Sequence, residues 1–262
     1  MRKRIVIFLS FLVILMLACG LATNTGTGTT PQKKPGNIFA NPTASPTIDP
    51  NPVSINDALG SLNSYQLTVM FKSTGPDPTQ SSTITEVTQR SRDTDAAYTQ
   101  FNMSIVKKGG GDPSNTDTSI YTIGNDQCSG STDSWTWTSN TPAQKEMEDL
   151  IKNMIGMTPM IDNPTFVAQE TVNDIPSNHF SFKVSGLGAK SGAVVNINQG
   201  DYWLAVDGQY IVRYTLILET STAANSEILH EEVSVDVNHI NQPVDISFSK
   251  GCLDASKVTP TP

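Results

Sequence analysis

Residues Gln209 to Leu218 put Tyr210, Val212, Tyr214, Leu216 and Leu218 in one phase, every second position apolar or aromatic. A period of two fits an extended strand with one buried and one wet face. The pattern recurs along the chain. Tyr65 to Phe71 alternates, Ala97 to Val106 sets Phe101, Met103 and Ile105 on one side, and Ile228 to Val237 sets Val233, Val235 and Val237 in phase. Shorter or less regular runs are Ser82–Gln89, Thr118–Ile123, Trp135–Thr138, Thr165–Val172, His179–Ser185 and Val244–Phe248. Ala193–Asn198 and Tyr202–Val206 read as a hairpin, Asp207-Gly208 as a two-residue turn and Pro159–Pro164 as a loop.

Two segments carry helical signals. Ser54 is a good N-cap, and Ile55, Ala58, Leu59 and Leu62 share a face. Farther on, Thr141 caps, Pro142 takes the first helical position and Gly156 stops a stretch whose apolar residues are Met147, Leu150, Ile151, Met154 and Ile155. Many antiparallel strands with few helices fit either a β-sandwich or a single bent sheet. A sandwich fills its core with its own two sheets and has little use for an amphipathic helix. The expected class is therefore α+β: a strongly curved antiparallel sheet with helices on its concave side.

The chain opens with Arg2, Lys3 and Arg4, an almost wholly apolar run from Ile5 to Leu17, and then Leu17-Ala18-Cys19-Gly20. This resembles a bacterial lipoprotein signal, in which residues 1–18 are removed and Cys19 is lipidated. A retained membrane helix needs about 18–20 apolar residues, more than this run supplies. Residues 19–53 are Thr, Pro, Gly and Asn with few apolar side chains, which marks a disordered tether with a reach of about 30 Å. A single domain is expected over residues 54–253, followed by a disordered tail, 254–262. Without its leader the chain keeps 14 basic against 25 acidic residues, a net charge of −11. Such a charge disfavours nucleic acid and anionic headgroups, so attachment to the membrane, on its extracytoplasmic face, falls to acyl chains on Cys19. Two cysteines then remain in an exported compartment, and a Cys128–Cys252 disulfide is expected.

The chemistry-bearing residues assemble no active site. His179, His230 and His239 lack a second ligand at helical spacing, so no metal centre is expected. Ser104-Ile105-Val106-Lys107 has the spacing of an acylation motif but lies in a strand with no companion motif. Gly186 to Ser191 lacks the glycines of a phosphate loop. The acidic runs Asp112–Asp117 and Asn125–Asp133 read as loops without a calcium-loop pattern. Trp135, Trp137 and Trp203 serve either a core or a ligand groove. The reading is of a non-enzyme with no cofactor.

The order of features is lipobox, Thr/Pro tether, a short helix ending in Leu62-Asn63-Ser64-Tyr65, long antiparallel strands interrupted by an amphipathic helix, then Gly200 to Tyr214 and a closing segment Asn241 to Ile246. In this the chain resembles the LolA-like lipoprotein-carrier fold, and most nearly the lipoproteins with that fold in monoderm bacteria, including mycobacterial lipid-carrying lipoproteins. The resemblance implies a half-barrel of antiparallel strands whose helices cap a hydrophobic cavity that holds acyl chains. The matching positions here are Met147, Leu150, Ile151, Met154 and Ile155 on the helix. On the strands they are Phe71, Phe101, Met103, Phe180, Phe182, Tyr214 and Leu216. The function implied is an anchored binder of a lipid or other hydrophobic ligand, with lipid or lipoprotein transfer at the envelope as its use. The alternative is a non-enzymatic cell-surface structural or protein-interaction domain.

Overall fold

The computed structural model describes residues 49–50, 59–77, 79–132, 134–139, 161–184, 193–222 and 228–258. Eleven strands form one open antiparallel sheet. They are β1 (Ser64–Thr74), β2 (Ser81–Ser91), β3 (Ala96–Val106), β4 (Ser114–Ile123), β5 (Asp126–Ser131), β6 (Ser134–Ser139), β7 (Ile161–Val172), β8 (Ile175–Val184), β9 (Ala193–Ala205), β10 (Ile211–Thr222) and β11 (Ile228–Asn238). The spatial order is β6-β5-β4-β3-β2-β1-β11-β10-β9-β8-β7. Two meanders, β1 to β6 and β7 to β11, thus join side by side through β1 and β11, with Leu67 opposite Val237 and Val69 opposite Val235.

Local chemistry sets the turns. Val172 pairs with Ile175, and the two residues between them, Asn173 and Asp174, have φ of 51° and 64°. Positive φ at both central positions matches the strand twist, and Asn and Asp tolerate it well. Asp207-Gly208 does turn the chain, but in a wider loop. The Ala205 N–H donates to the Tyr210 carbonyl at 2.9 Å, and positive φ falls on Gly208 and Gln209.

The expected α+β half-barrel with helices on its concave side is not what forms. Among the described residues the architecture is almost entirely sheet. The helical residues are those of α1 (Lys250–Ser256), seven residues long, and a helical end at Leu59 and Gly60. Segments read as loops turn out to be strands: Ser114–Asp117 begins β4, Asp126–Ser131 is β5 and β7 starts at Ile161. These stretches are Ser-, Thr- and Asp-rich, so they lack the apolar alternation that reveals a strand, and neighbouring ladders extend them regardless. Ala193 to Ala205 is one continuous strand, not a hairpin. Gly200 serves close approach instead of a turn: a Cβ there would fall on the Phe182 ring. Val244–Phe248 is not a strand. The helix proposed around Met147 to Ile155 and the turn at Gly186 to Ser191 lie outside the described residues.

The disulfide is present. Cys128 and Cys252 are bonded, with Cα atoms 5.8 Å apart and a sequence separation of 124. It pins α1 to β5. Ser249 caps the helix by accepting from the Cys252 N–H. Gly251 lets the helix lie against Trp135, whose ring occupies the space a Cβ would need. Phe248 packs on Trp137 with centroids 4.5 Å apart, and Tyr121 reaches Trp135 at 6.0 Å. Trp135 and Trp137 are therefore packing residues of this edge.

Candidate functional site

Direct cross-strand partners point to the same face of a sheet. One face bears Leu67, Val69 and Phe71 of β1, and two adjacent rows run across it. The first passes from Phe166 through Phe180, Tyr202, Tyr214, Val235, Val69 and Glu86 to Phe101. The second passes from Phe182 through Gly200, Leu216, Val233, Phe71 and Ile84 to Met103. The strand residues singled out from sequence, namely Phe71, Phe101, Met103, Phe180, Phe182, Tyr214 and Leu216, all fall in these two rows. Their shared face was not legible from any one strand. Met147, Leu150, Ile151, Met154 and Ile155 lie outside the described residues.

The β8–β11 half of this face is sealed. Phe180, Phe182, Tyr214 and Leu216 are buried in one cluster with Leu59, Leu62, Tyr202 and Val237. Phe180 stacks on Tyr202 at 5.1 Å, and Phe182 meets Tyr214 at 5.3 Å. A bulge between Ile211 and Arg213 resets the phase of β10. Ile211 joins this cluster while Val212 and Tyr210 pack in a second one with Val172 and Ala205. The single phase expected from Tyr210 to Leu218 is thus split. The β1–β3 half is less covered: Phe71, Ile84, Phe101, Met103 and Ile105 are only half-buried.

Polar groups interrupt the apolar floor. The Tyr202 hydroxyl donates to the Pro50 carbonyl at 2.7 Å, so the chain ahead of the domain touches this face. Burial, and the charge of Asp49, push the Tyr202 phenol up to about 12. The Tyr214 hydroxyl is fully buried and has no hydrogen-bond partner among the described residues, and burial raises its pKa strongly. Glu86 is 5% exposed and accepts from the Thr88 hydroxyl at 3.1 Å, while Thr88 and Thr99 share a second bond of 3.1 Å. Burial lifts the Glu86 carboxyl above its ordinary value of 4.5, and the Thr88 bond opposes the shift in part. Glu231, in the next row beside Leu218 and Ser73, is raised by burial as well. Sequence reasoning missed Glu86, because Ile84 and Val87 in the same strand have opposite parity and hide which face is apolar.

Glu86 makes stability depend on pH with a definite sign. Between 4.5 and its raised value in the fold, the folded chain holds the proton and the unfolded chain does not. Stability contributed by the neutral carboxyl is therefore complete below 4.5 and declines as pH rises through that window. Glu86→Gln is expected to gain on the native chain as pH rises through that window, read as urea midpoints. Parallel pH curves for the two proteins would show that this carboxyl is not desolvated.

The opposite face carries a polar clasp over β7 to β11. His179 Nδ1 lies 3.1 Å from Glu170 and Nε2 lies 3.0 Å from Asp201, and the ring stacks on Trp203 at 4.3 Å. Trp203 Nε1 donates to Glu170 at 2.5 Å, and Arg213 Nε donates to Asp236 at 2.8 Å. His230 sits on β11 near Glu232, at 3.3 Å, and His239 lies in the turn after it. A concavity of about 420 Å³ also occurs between β2, β3 and β4, lined by Thr83, Thr85, Gln100, Asn102, Asn115 and Asp117 with Met103. Its hydroxyls and amides suit water better than hydrocarbon. Among the described residues no helix is long and apolar enough to cross a membrane.

No protein family and no curated protein matches the sequence. Among solved structures the chain is similar to LprF from Mycobacterium bovis, with 11% identity over 74% of this chain and 93% of that one and a TM-score of 0.35. It is also similar to a DUF1329 family protein from Desulfovibrio piger, with 9% identity over 73% of this chain and 90% of that one and a TM-score of 0.21.

Proposed function

We propose that this chain binds a lipid or other hydrophobic ligand on the apolar face of its sheet, at the cell envelope, and that acylated Cys19 holds it to the membrane. One observation carries the reading: the apolar rows continue past the sealed core. Phe180, Phe182, Tyr214 and Leu216 are buried, whereas Phe71, Ile84, Phe101, Met103 and Ile105 continue the same floor half-buried. The part of this aromatic and thioether surface that water reaches gains about 25 cal/mol per Å² when hydrocarbon covers it. An acyl chain contributes about 0.8 kcal/mol per buried CH₂, with no polar motif required. Methionine at position 103 adapts to an irregular guest. No reaction is needed in this reading, and the protein acts by holding its ligand.

The test is expression of the full chain and of Cys19→Ala in a bacterial host, followed by fractionation and mass spectrometry of solvent extracts. The native chain is expected in the membrane fraction, the variant in the soluble one, both with co-purifying acyl lipid. Lipid-free protein from both would remove the ligand reading, and a variant that still partitions with membranes would remove the anchor. A second reading, an interaction module, finds support in the exposed Ile197, Ile217 and Ile228 on the opposite face of β9 to β11.

A further inference from the structure

Two of the three charged strand residues described on the apolar face are carboxyls. Among its described strand residues the ionisable acids and bases are Glu86, Glu231 and Arg90. Arg90 is held by Asp95 at 3.0 Å. Asp49 lies close enough to Tyr202 for its charge to be felt by the phenol. Glu86 sits in the first row, and Glu231 lies one row beyond the second. The two carboxyls therefore bracket the Val233–Phe71–Ile84 stretch from either side. Glu86 has one bond, from Thr88, for a group able to accept several.

We propose that the ligand is an uncharged amphiphile, an acyl chain bearing a hydroxyl-rich neutral head, and that Glu86 and Glu231 select it over an anionic lipid with the same tail. This deepens the ligand-binding reading above and rests on it. A carboxylate or phosphate head laid on this floor brings a like charge toward two carboxyls in apolar surroundings. Either a proton is taken up or the repulsion is borne, and both weaken binding. A hydroxyl does neither. It donates to an ionised Glu86 or accepts from a protonated one, and it satisfies the spare capacity of that carboxyl at no charge cost.

The experiment compares 1-monooleoylglycerol with sodium oleate, two probes with one tail and different heads, on the delipidated full chain at pH 8. Both are titrated below their critical aggregation concentrations by displacement of a fluorescent hydrocarbon probe. The glyceride is expected to bind at least about ten-fold more tightly than oleate. In Glu86→Gln/Glu231→Gln the gap is expected to close to within about three-fold, chiefly through tighter oleate binding. Glu231→Gln alone, at a half-buried position, serves if the double variant does not fold, and should narrow the gap at least about two-fold. Oleate binding as tightly as the glyceride, or a gap unmoved by the variants, would overturn the selection proposed here while leaving ligand binding intact. Failure of both probes to bind would overturn the ligand-binding reading itself, and this inference with it.

Discussion

Reduction of the Cys128–Cys252 disulfide is expected to lower the free energy of unfolding by about 5 kcal/mol. The bond closes a loop of 124 residues, and in the chain-entropy treatment a loop of that size restricts the unfolded ensemble by about that amount. The folded state loses an attachment at the same time. Helix α1 has seven residues, too few to persist alone, and holds to β5 and β6 through Cys252, the Gly251 contact with Trp135 and the neighbouring Phe248. For a domain of this size the loss corresponds to a fall in Tm of about 10–20 °C. Thermal unfolding with and without dithiothreitol measures it, and Cys128→Ala/Cys252→Ala gives the same quantity without reductant. A fall of only a degree or two would mean that the aromatic packing at this edge holds without the cross-link.

Phe180→Ala is expected to cost about 3–5 kcal/mol, as a fully buried aromatic does when truncated without room for collapse. Phe180 is 2% exposed, stacks on Tyr202 and meets Phe166 edge-on at 5.7 Å. Its neighbours are themselves bulky rings on a hydrogen-bonded ladder, which limits relaxation into the void. The same change at half-buried Phe101, two strands past the β1–β11 seam, should cost clearly less in urea unfolding. Equal costs at the two sites would show that the β1–β3 half is as closely packed as the β8–β11 half. The floor would then offer no loosely packed surface to a ligand.

Much of the strand content was legible because Phe, Tyr, Val and Ile alternate with Ser, Thr and Gln where one face is buried. The alternation of Leu67, Val69 and Phe71 needs no partner to be read, and neither does that of Val233, Val235 and Val237. It failed where both faces are polar, as in β5, and where the phase changes, as at the Ile211 bulge. Helix α1 left no amphipathic stripe because it is short and is held by a covalent bond, an N-cap and one glycine. The candidate face was half legible. Large apolar residues on strands were easy to nominate, but their common side follows only from register. Glu86 gave no sign of its position, since a glutamate in a Thr-rich strand reads as a wet residue until its cross-strand partners Val69 and Phe101 are known.

The amino-acid order alone determined the acidic balance and the extended habit of most of the described chain, and it named the Cys128–Cys252 pairing. These follow from local composition and from counting, which need no knowledge of distant neighbours. Only the tertiary structure decided that β1 joins β11, that aromatic residues from β1, β3, β8 and β10 share two rows, and that a carboxyl lies among them. The reason is that a strand's side chains alternate on their own, but which strands stand side by side, and in what register, is set by contacts between segments more than a hundred residues apart.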